Sequence, residues 1–333
     1  MRHILPLALM FVLVLSQSPL RAEDEPQKGT FKVDLPSGIH YFCHVPDGYE
    51  AGKTGLLMLF HGRGGTGEEM LGAYVGGGFA AKFNWIIVAP KSPSDMWEPG
   101  MKGAEETYLD ITKKYKLDPK RINVSGFSAG GLFAGWYGLS NLERLRTLVV
   151  SGACLDNGPI GAAKKKLNMP IYLINGENCQ YMQAAKSNFD CLVKFGCRYA
   201  RRKMWPGEGH AYNIAMDFPM LTDWYSAVES GYDYPAALDR AKKEVKQKVE
   251  KAIATVADIE KQPREDGFWA ELDGIKKEID AIGEKKLKSI LTRAKTSPDK
   301  GVKELGEFAA VFAGYPVGEK AAAELEKAKG NTE

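Results

Sequence analysis

Two five-residue runs, 56–60 (Leu-Leu-Met-Leu-Phe) and 85–89 (Trp-Ile-Ile-Val-Ala), contain no polar position at all. Runs of that length bounded by turn residues predict strands buried on both faces. Residues 30–35 and 39–45 predict a hairpin around Pro36-Ser37-Gly38. Further strands are expected at 121–124, 147–151, 171–175 and 198–205. Helices are expected at 68–83, 104–115, 132–139, 159–167, 181–195 and 214–229. A hairpin followed by alternating helices and strands implies an α/β fold, a mostly parallel doubly wound sheet covered on both faces. Ligands in such sheets bind at the carboxyl ends of the strands.

Beyond Tyr234-Pro235 the periodicity changes. Leu238, Ala241, Val245, Val249, Ile253 and Val256 recur at three- and four-residue steps and predict one long amphipathic helix. Phe268, Leu272, Ile275, Ile279 and Ile282 predict a second, and 287–294 and 302–312 continue the pattern. Residues 263–267 and 297–299 are breaks. The expected organisation is a leader at 1–22, a sheet domain at 23–232 and a C-terminal α-helical extension at 236–330. The Lys/Glu content of the extension reads as a solvated helix face, and the helices offer a surface for protein contact.

Composition narrows the options. A hydrophobic content of 44% is ample for a core, and a net charge of +3 argues against a dedicated nucleic-acid surface. Arg2 and His3 precede an apolar stretch at 4–15, too short to span a bilayer, and Leu20-Arg21-Ala22 offers a cleavage site. The mature protein is therefore expected to be secreted or periplasmic, without stable membrane insertion. Five cysteines are too few for a disulfide scaffold. No Cys, His or carboxylate set has metal-site spacing, and no cofactor is implied.

The candidate chemistry gathers at the predicted strand ends. Gly126-Phe127-Ser128-Ala129-Gly130 lies between a strand and a helix, the pattern of a nucleophile elbow carrying Ser128. A side chain at 126 or 130 would collide with the neighbouring strand or helix. The glycine-rich loop His61-Gly62-Arg63-Gly64-Gly65 leaves backbone N–H groups free. With an elbow, the oxyanion donors are expected to be the N–H of Ala129 and that of Arg63 or Gly64. Of the histidines beyond the leader, His40, His44 and His61 precede the nucleophile. His210, in Pro206-Gly207-Glu208-Gly209-His210 after the last strand, is the base by position and elimination, and His61 reads as structural.

On these three motifs, in this order, the chain resembles the α/β-hydrolase superfamily over about residues 30–230. More narrowly it is similar to compact exported esterases related to feruloyl esterases, polyhydroxyalkanoate depolymerases and dienelactone hydrolases. The resemblance implies a serine esterase working through an acyl-enzyme on Ser128, with His210 as base. In such enzymes the acid usually follows the strand before the last helix–strand pair. Here that position holds Cys179, preceded by Glu177 and Asn178. Glu177 is the expected acid, Asp156 is the alternative, and an Asn-oriented or two-residue arrangement is a third option. Asp190 and Asp217, within helices, are expected at the surface. Bridges Cys154–Cys179 and Cys191–Cys197 would hold the acid loop and a helix end, against the alternative of reduced thiols.

Substrate signals are fewer. Trp97, in the segment after the fourth strand, is expected at the site mouth as a contact for an aromatic or sugar portion of an ester. With no large lid, the cleft suits short acyl or aryl esters, small or polysaccharide-linked. The competing reading is a hydrolase-fold binding or adaptor protein that has lost its acid and works through its helical tail.

Overall fold

The computed structural model describes residues 26–92, 94, 96–97, 101–163, 167 and 169–330. The leader expected at 1–22 lies outside them. Gly29–Asp34 (β1) and His40–Val45 (β2) pair antiparallel, with Gly29 opposite Val45. Gly55–Phe60 (β3) and Trp85–Pro90 (β4) follow, both buried along their whole length. Ile122–Phe127 (β5), Thr147–Ser151 (β6), Ile171–Gly176 (β7) and Ala200–Trp205 (β8) complete an eight-stranded sheet in the order β1-β2-β4-β3-β5-β6-β7-β8. β2 runs antiparallel to β4, and every pairing beyond it is parallel.

β3 has β4 on one side and β5 on the other, so the chain reverses its winding direction there. That reversal opens a crevice at the carboxyl ends of β3 and β5. Both faces are covered, which is why these strands lack a polar side. Leu56, Met58 and Phe60 enter one core with Ile86, Val88 and Val124, whereas Leu57 and Leu59 enter the other with Trp85 and Ile87. The alternation is the two-residue period of a pleated strand. Burial of each such side chain contributes about 1.5–3 kcal/mol.

The helices of this layer are Gly67–Gly76 (α1), Phe79–Phe83 (α2), Met101–Lys114 (α3), Ala129–Ser140 (α4), Asn157–Ala163 (α5), Met182–Lys194 (α6) and Ile214–Glu229 (α7). α1 starts at a capping box: the Thr66 hydroxyl accepts from Glu69 N–H, and the Glu69 carboxylate accepts from Thr66 N–H. The single helix expected at 68–83 is two. Gly78 adopts φ 79°, and a β-carbon on Gly77 would lie 2.6 Å from the Phe218 ring on α7. The break at Gly76-Gly77-Gly78 thus gives both a left-handed turn and a close helix approach.

The C-terminal extension comprises Tyr234–Gln247 (α8), Val249–Glu260 (α9), Asp266–Ala294 (α10), Pro298–Val311 (α11) and Pro316–Gly330 (α12). The helix expected through 238–256 is a hairpin, turned at Lys248 (φ −150°, ψ 91°). Across the turn, Thr255 donates to the Glu244 carboxylate at 2.7 Å. α12 lies past the last position the apolar period identified. Leu238, Val256, Leu272, Ile279, Phe312 and Val317 belong to a core of the extension's own.

The extension is tied to the sheet domain beside β8. Arg201 Nε donates to Glu265 Oε2 at 2.9 Å, and the guanidinium lies 4.0 Å from the centre of the Phe268 ring. Phe268 in turn stacks on Tyr234, with centroids 4.6 Å apart. Arg198 reaches Asp239 and, at 3.3 Å, Glu271. Among the described residues no helix is long and apolar enough to cross a membrane.

Candidate active site

Ser128 sits between β5 and α4 with φ 54° and ψ −120°, one of three non-glycine residues with positive φ among the described residues. That conformation costs about 1–3 kcal/mol and persists only where surrounding structure enforces it. The enforcement is visible in the two glycines. A β-carbon on Gly126 would run into the Gly130 carbonyl, and one on Gly130 into the carbonyls of Phe60 and His61. Ser128 N–H donates to Ser151 O at 2.9 Å, which ties the elbow to the end of β6.

The elbow brings the Ser128 Oγ to 2.7 Å from the Nε2 of His210, although 82 residues separate them. His210 is exposed and leaves β8 through a short loop. Gly176 makes room for that loop, since a β-carbon there would strike the carbonyls of Glu208 and Gly209. On its other side the imidazole lies against Phe127, the residue preceding the nucleophile. Tyr212, two residues on, donates to Tyr74 on α1 at 2.9 Å, and the Tyr74 hydroxyl is 2.9 Å from Ser125 Oγ on β5. A chain of three hydroxyls therefore connects the base loop to the strand behind the nucleophile.

Neither expected acid touches the imidazole. Glu177 Oε2 accepts from Gly207 N–H at 2.8 Å, and Glu177 N–H donates to Trp205 O at 2.9 Å. Asn178 follows suit, with its N–H on Glu208 O at 2.8 Å and its side-chain amide on Gly207 O at 3.2 Å. Both residues clamp the loop that carries His210 instead of the ring. Asp156 Oδ1 accepts from Gly158 N–H at 2.9 Å, an Asx turn at the start of α5. The group that faces His210 Nδ1, at 3.2 Å, is the sulfur of Cys179.

All five cysteines are free thiols, so the bridges expected between Cys154 and Cys179 and between Cys191 and Cys197 are absent. Cys179 is directed at the imidazole, and the Cys197 thiol donates to Met169 O at 3.3 Å. Burial pushes the Cys197 thiol up to about 11, away from the reactive thiolate.

The glycine-rich loop closes β3 beside the elbow. His61 Nε2 accepts from Ser92 N–H at 3.1 Å, so Nδ1 carries the proton and donates to Gly62 O at 2.8 Å. With both nitrogens engaged and burial lowering its pKa, His61 is a neutral strut of the loop. Gly64 takes φ 71°, and Gly65 N–H bonds back to Gly62 O at 3.1 Å. Ala129 opens α4, so its N–H has no partner within the helix.

Trp97 is not at the mouth. It is only 3% exposed, stacked on Phe133 at 5.0 Å, with its indole N–H donating to His61 O at 2.9 Å. An apolar ring with one polar handle fits this inner position better than a solvent-facing one, and it buttresses the glycine-rich loop. Asp217, expected at the surface, is 1% exposed and accepts from Trp205 Nε1 at 2.7 Å. Asp190 is exposed.

Sequence reasoning named the residue at 179 but gave it no contact with the base. The roles of Tyr212, Tyr74 and Ser125 were also missed. The two tyrosines are 138 positions apart, and no local pattern marks hydroxyls that meet only across the fold. Among the described residues no group of three or more His, Cys, Asp or Glu is placed to hold a metal ion.

No protein-family model matches the chain. Over 100 residues, 28% of the chain, it is 26% identical to a bifunctional acetylxylan esterase/xylanase of Neocallimastix patriciarum, and the match spans 14% of that protein's length. Among solved structures it is similar to a thermostable esterase, with 16% identity and a TM-score of 0.46. That match covers 53% of this chain and 54% of the other, so the chain spans about half its length. A ferulic acid esterase is 14% identical, with 58% of this chain and 93% of the other covered and a TM-score of 0.48. S-formylglutathione hydrolase of Staphylococcus aureus is 13% identical, with 62% and 96% covered and a TM-score of 0.47.

Proposed function

We propose, from the premise that the chain has the α/β-hydrolase fold, that it is a serine esterase. The observation that carries this is the 2.7 Å contact between Ser128 Oγ and His210 Nε2 on a strained strand-to-helix turn. A nucleophile within hydrogen-bond reach of its base is the geometric requirement for acyl transfer.

Ser128 Oγ attacks the ester carbonyl carbon while its proton passes to His210 Nε2. The carbonyl electron pair moves onto oxygen, where Ala129 N–H and the N–H of Arg63 or Gly64 receive the developing charge. Each such donor is worth about 10²–10³ in turnover. Collapse of the tetrahedral species breaks the C–O bond to the alcohol, which leaves with the proton held by His210. The acyl group remains on Ser128 until water, deprotonated by His210, attacks it and returns the serine and a carboxylic acid.

An apolar hollow of about 190 Å³ is lined by Gly62, Met70, Phe127, Tyr212 and Ile214 beside the glycine-rich loop. It lies below the usual size of drug-like pockets and supports a short acyl or aryl group. An open approach suits esters carried on a polysaccharide as well as small ones. The basic and apolar start of the chain supports export, with the esterase acting in the secreted or periplasmic space.

The test is turnover of p-nitrophenyl acetate together with labelling by a fluorophosphonate. Label on Ser128 that vanishes in Ser128→Ala, with turnover lost in the same variant, is the expected result. A folded chain that neither labels nor hydrolyses would instead point to the binding or adaptor reading, which the placement of the Cys179 sulfur rather than Glu177 or Asp156 at His210 Nδ1 favours.

A further inference from the structure

His210 presents its Nδ1 to sulfur where hydrolytic triads present oxygen. For Nε2 to take the Ser128 proton, the ring's own proton must sit on Nδ1, and something must hold it there. We propose that Cys179 is the positioning residue of this site, its sulfur accepting the Nδ1–H hydrogen bond in place of a carboxylate. The inference rests on the esterase reading above and names the third member of the same site.

Three observations support it. First, the Sγ–Nδ1 separation of 3.2 Å is a hydrogen-bond distance for sulfur. Second, the sulfur is built in. Cys179 is 5% exposed, its N–H bonds Gly176 O at 3.1 Å, and the buried Asn175 amide approaches Sγ at 3.8 Å while donating to Ala153 O at 3.1 Å. Two N–H groups thus converge on one sulfur atom. Third, the two carboxylates expected as the acid are committed elsewhere, Glu177 to Gly207 N–H and Asp156 to Gly158 N–H.

The chemistry differs from that of a carboxylate in a specific way. A neutral thiol is a weak acceptor, enough to select a tautomer and an orientation but not to balance the imidazolium formed during attack. Asn175 and the backbone of the turn keep the sulfur in place without adding that charge. Cys179→Asp would supply it, because a carboxylate reaches slightly further from Cβ than a thiol and N–H···O bonds are shorter than those to sulfur.

The experiment compares the wild type with Cys179→Asp, Cys179→Ala and Cys179→Ser by steady-state kinetics across pH, Ser128 labelling, thermal unfolding, and ¹⁵N NMR of the histidine rings. Expected for Cys179→Ala is a kcat about 10- to 100-fold lower, at the mild end of what losing the orienting group costs, with KM little changed. Its His210 ring should also lose the Nδ1–H tautomer. Cys179→Asp should raise kcat about tenfold and move the acid limb of kcat/KM to higher pH, because a neighbouring negative charge favours the protonated ring. A merely structural cysteine would not shift that limb. If Cys179→Ala folds with wild-type kcat, pH profile and ring tautomer, the proposal is overturned. Cys179→Ser, whose hydroxyl can still accept from Nδ1–H, should keep the tautomer, and its loss there would also count against the proposal. A chain in which Ser128 is inert but the His210 tautomer still depends on residue 179 would overturn the esterase reading and leave this assignment standing.

Discussion

Phe127 lies nearly parallel to His210, with ring centroids 5.4 Å apart and planes 26° apart. The contact is possible because Gly152, at the end of β6, has no side chain. A β-carbon there would come within 2.6 Å of the Phe127 ring and 3.4 Å of His210 Cε1, at a φ of 57°. The imidazole is therefore positioned by apolar packing on one side and hydrogen bonds on the others. Gly152→Ala should push the two rings apart and strain the backbone by about 1–2 kcal/mol. A ring displaced by about 1 Å loses on the order of 10² in rate. Steady-state hydrolysis with p-nitrophenyl acetate should show kcat/KM lower by that factor, and an alanine variant with wild-type rates would mean that Phe127 does not set the base.

The hydroxyl chain from Tyr212 through Tyr74 to Ser125 makes a second expectation. Tyr212→Phe removes the donor to Tyr74 and keeps the ring that packs 5.1 Å from Phe127. Losing one neutral bond of this kind costs about 0.5–1.5 kcal/mol. The base loop should loosen, so kcat should fall severalfold while KM holds. Urea unfolding would read the first effect and initial rates the second. Unchanged kcat in a variant whose stability has dropped would confine the hydroxyl chain to a structural role.

The sheet was legible because β3 and β4 have no polar position and so fit only between two layers. The elbow was legible because its glycines stand where backbone meets backbone. What escaped was set by contacts between distant segments. Lys248 breaks an apolar period that runs unbroken through it, with neither Pro nor Gly to mark the turn. Glu177 has the reach expected of an acid, but the exit of β8 places Gly207 N–H in front of its carboxylate. Trp97 occupies a loop that reads as a mouth, yet Phe60 and Phe133 offer its ring a buried site. Periodicity and composition are silent on such tertiary competition.

At the junction with the helical extension, Arg201 and Glu265 form an ion pair with side chains only 16% and 6% exposed. Glu265 also caps α10, accepting from Gly267 and Phe268 N–H. Removing one partner of a buried pair strands the other, at a cost of about 3–5 kcal/mol. Glu265→Ala should therefore lower the urea midpoint strongly without altering turnover per folded molecule. Arg201→Met combined with Glu265→Leu should recover much of the loss. A single alanine variant as stable as the wild type would show that the junction is held by the Phe268–Tyr234 stack and the Arg198 contacts without the Arg201–Glu265 pair.

Asp217 adds a pH dependence whose sign follows from its burial. Desolvation raises its carboxyl to about 6, opposed by the hydrogen bond from Trp205, whereas an unfolded chain ionises near about 3.9. Between those values the folded state holds a proton that the unfolded state has released, so stability falls as pH rises from about 4 to 6 and then levels. The destabilisation present above pH 6 is at most about 3 kcal/mol. Asp217→Asn keeps an acceptor for Trp205 Nε1–H and carries no charge. Urea titrations at several pH values should show the variant level with the wild type near pH 4, gaining through pH 6 and constant above it. A stability difference independent of pH would mean that Asp217 is solvated in a way its 1% exposure does not allow.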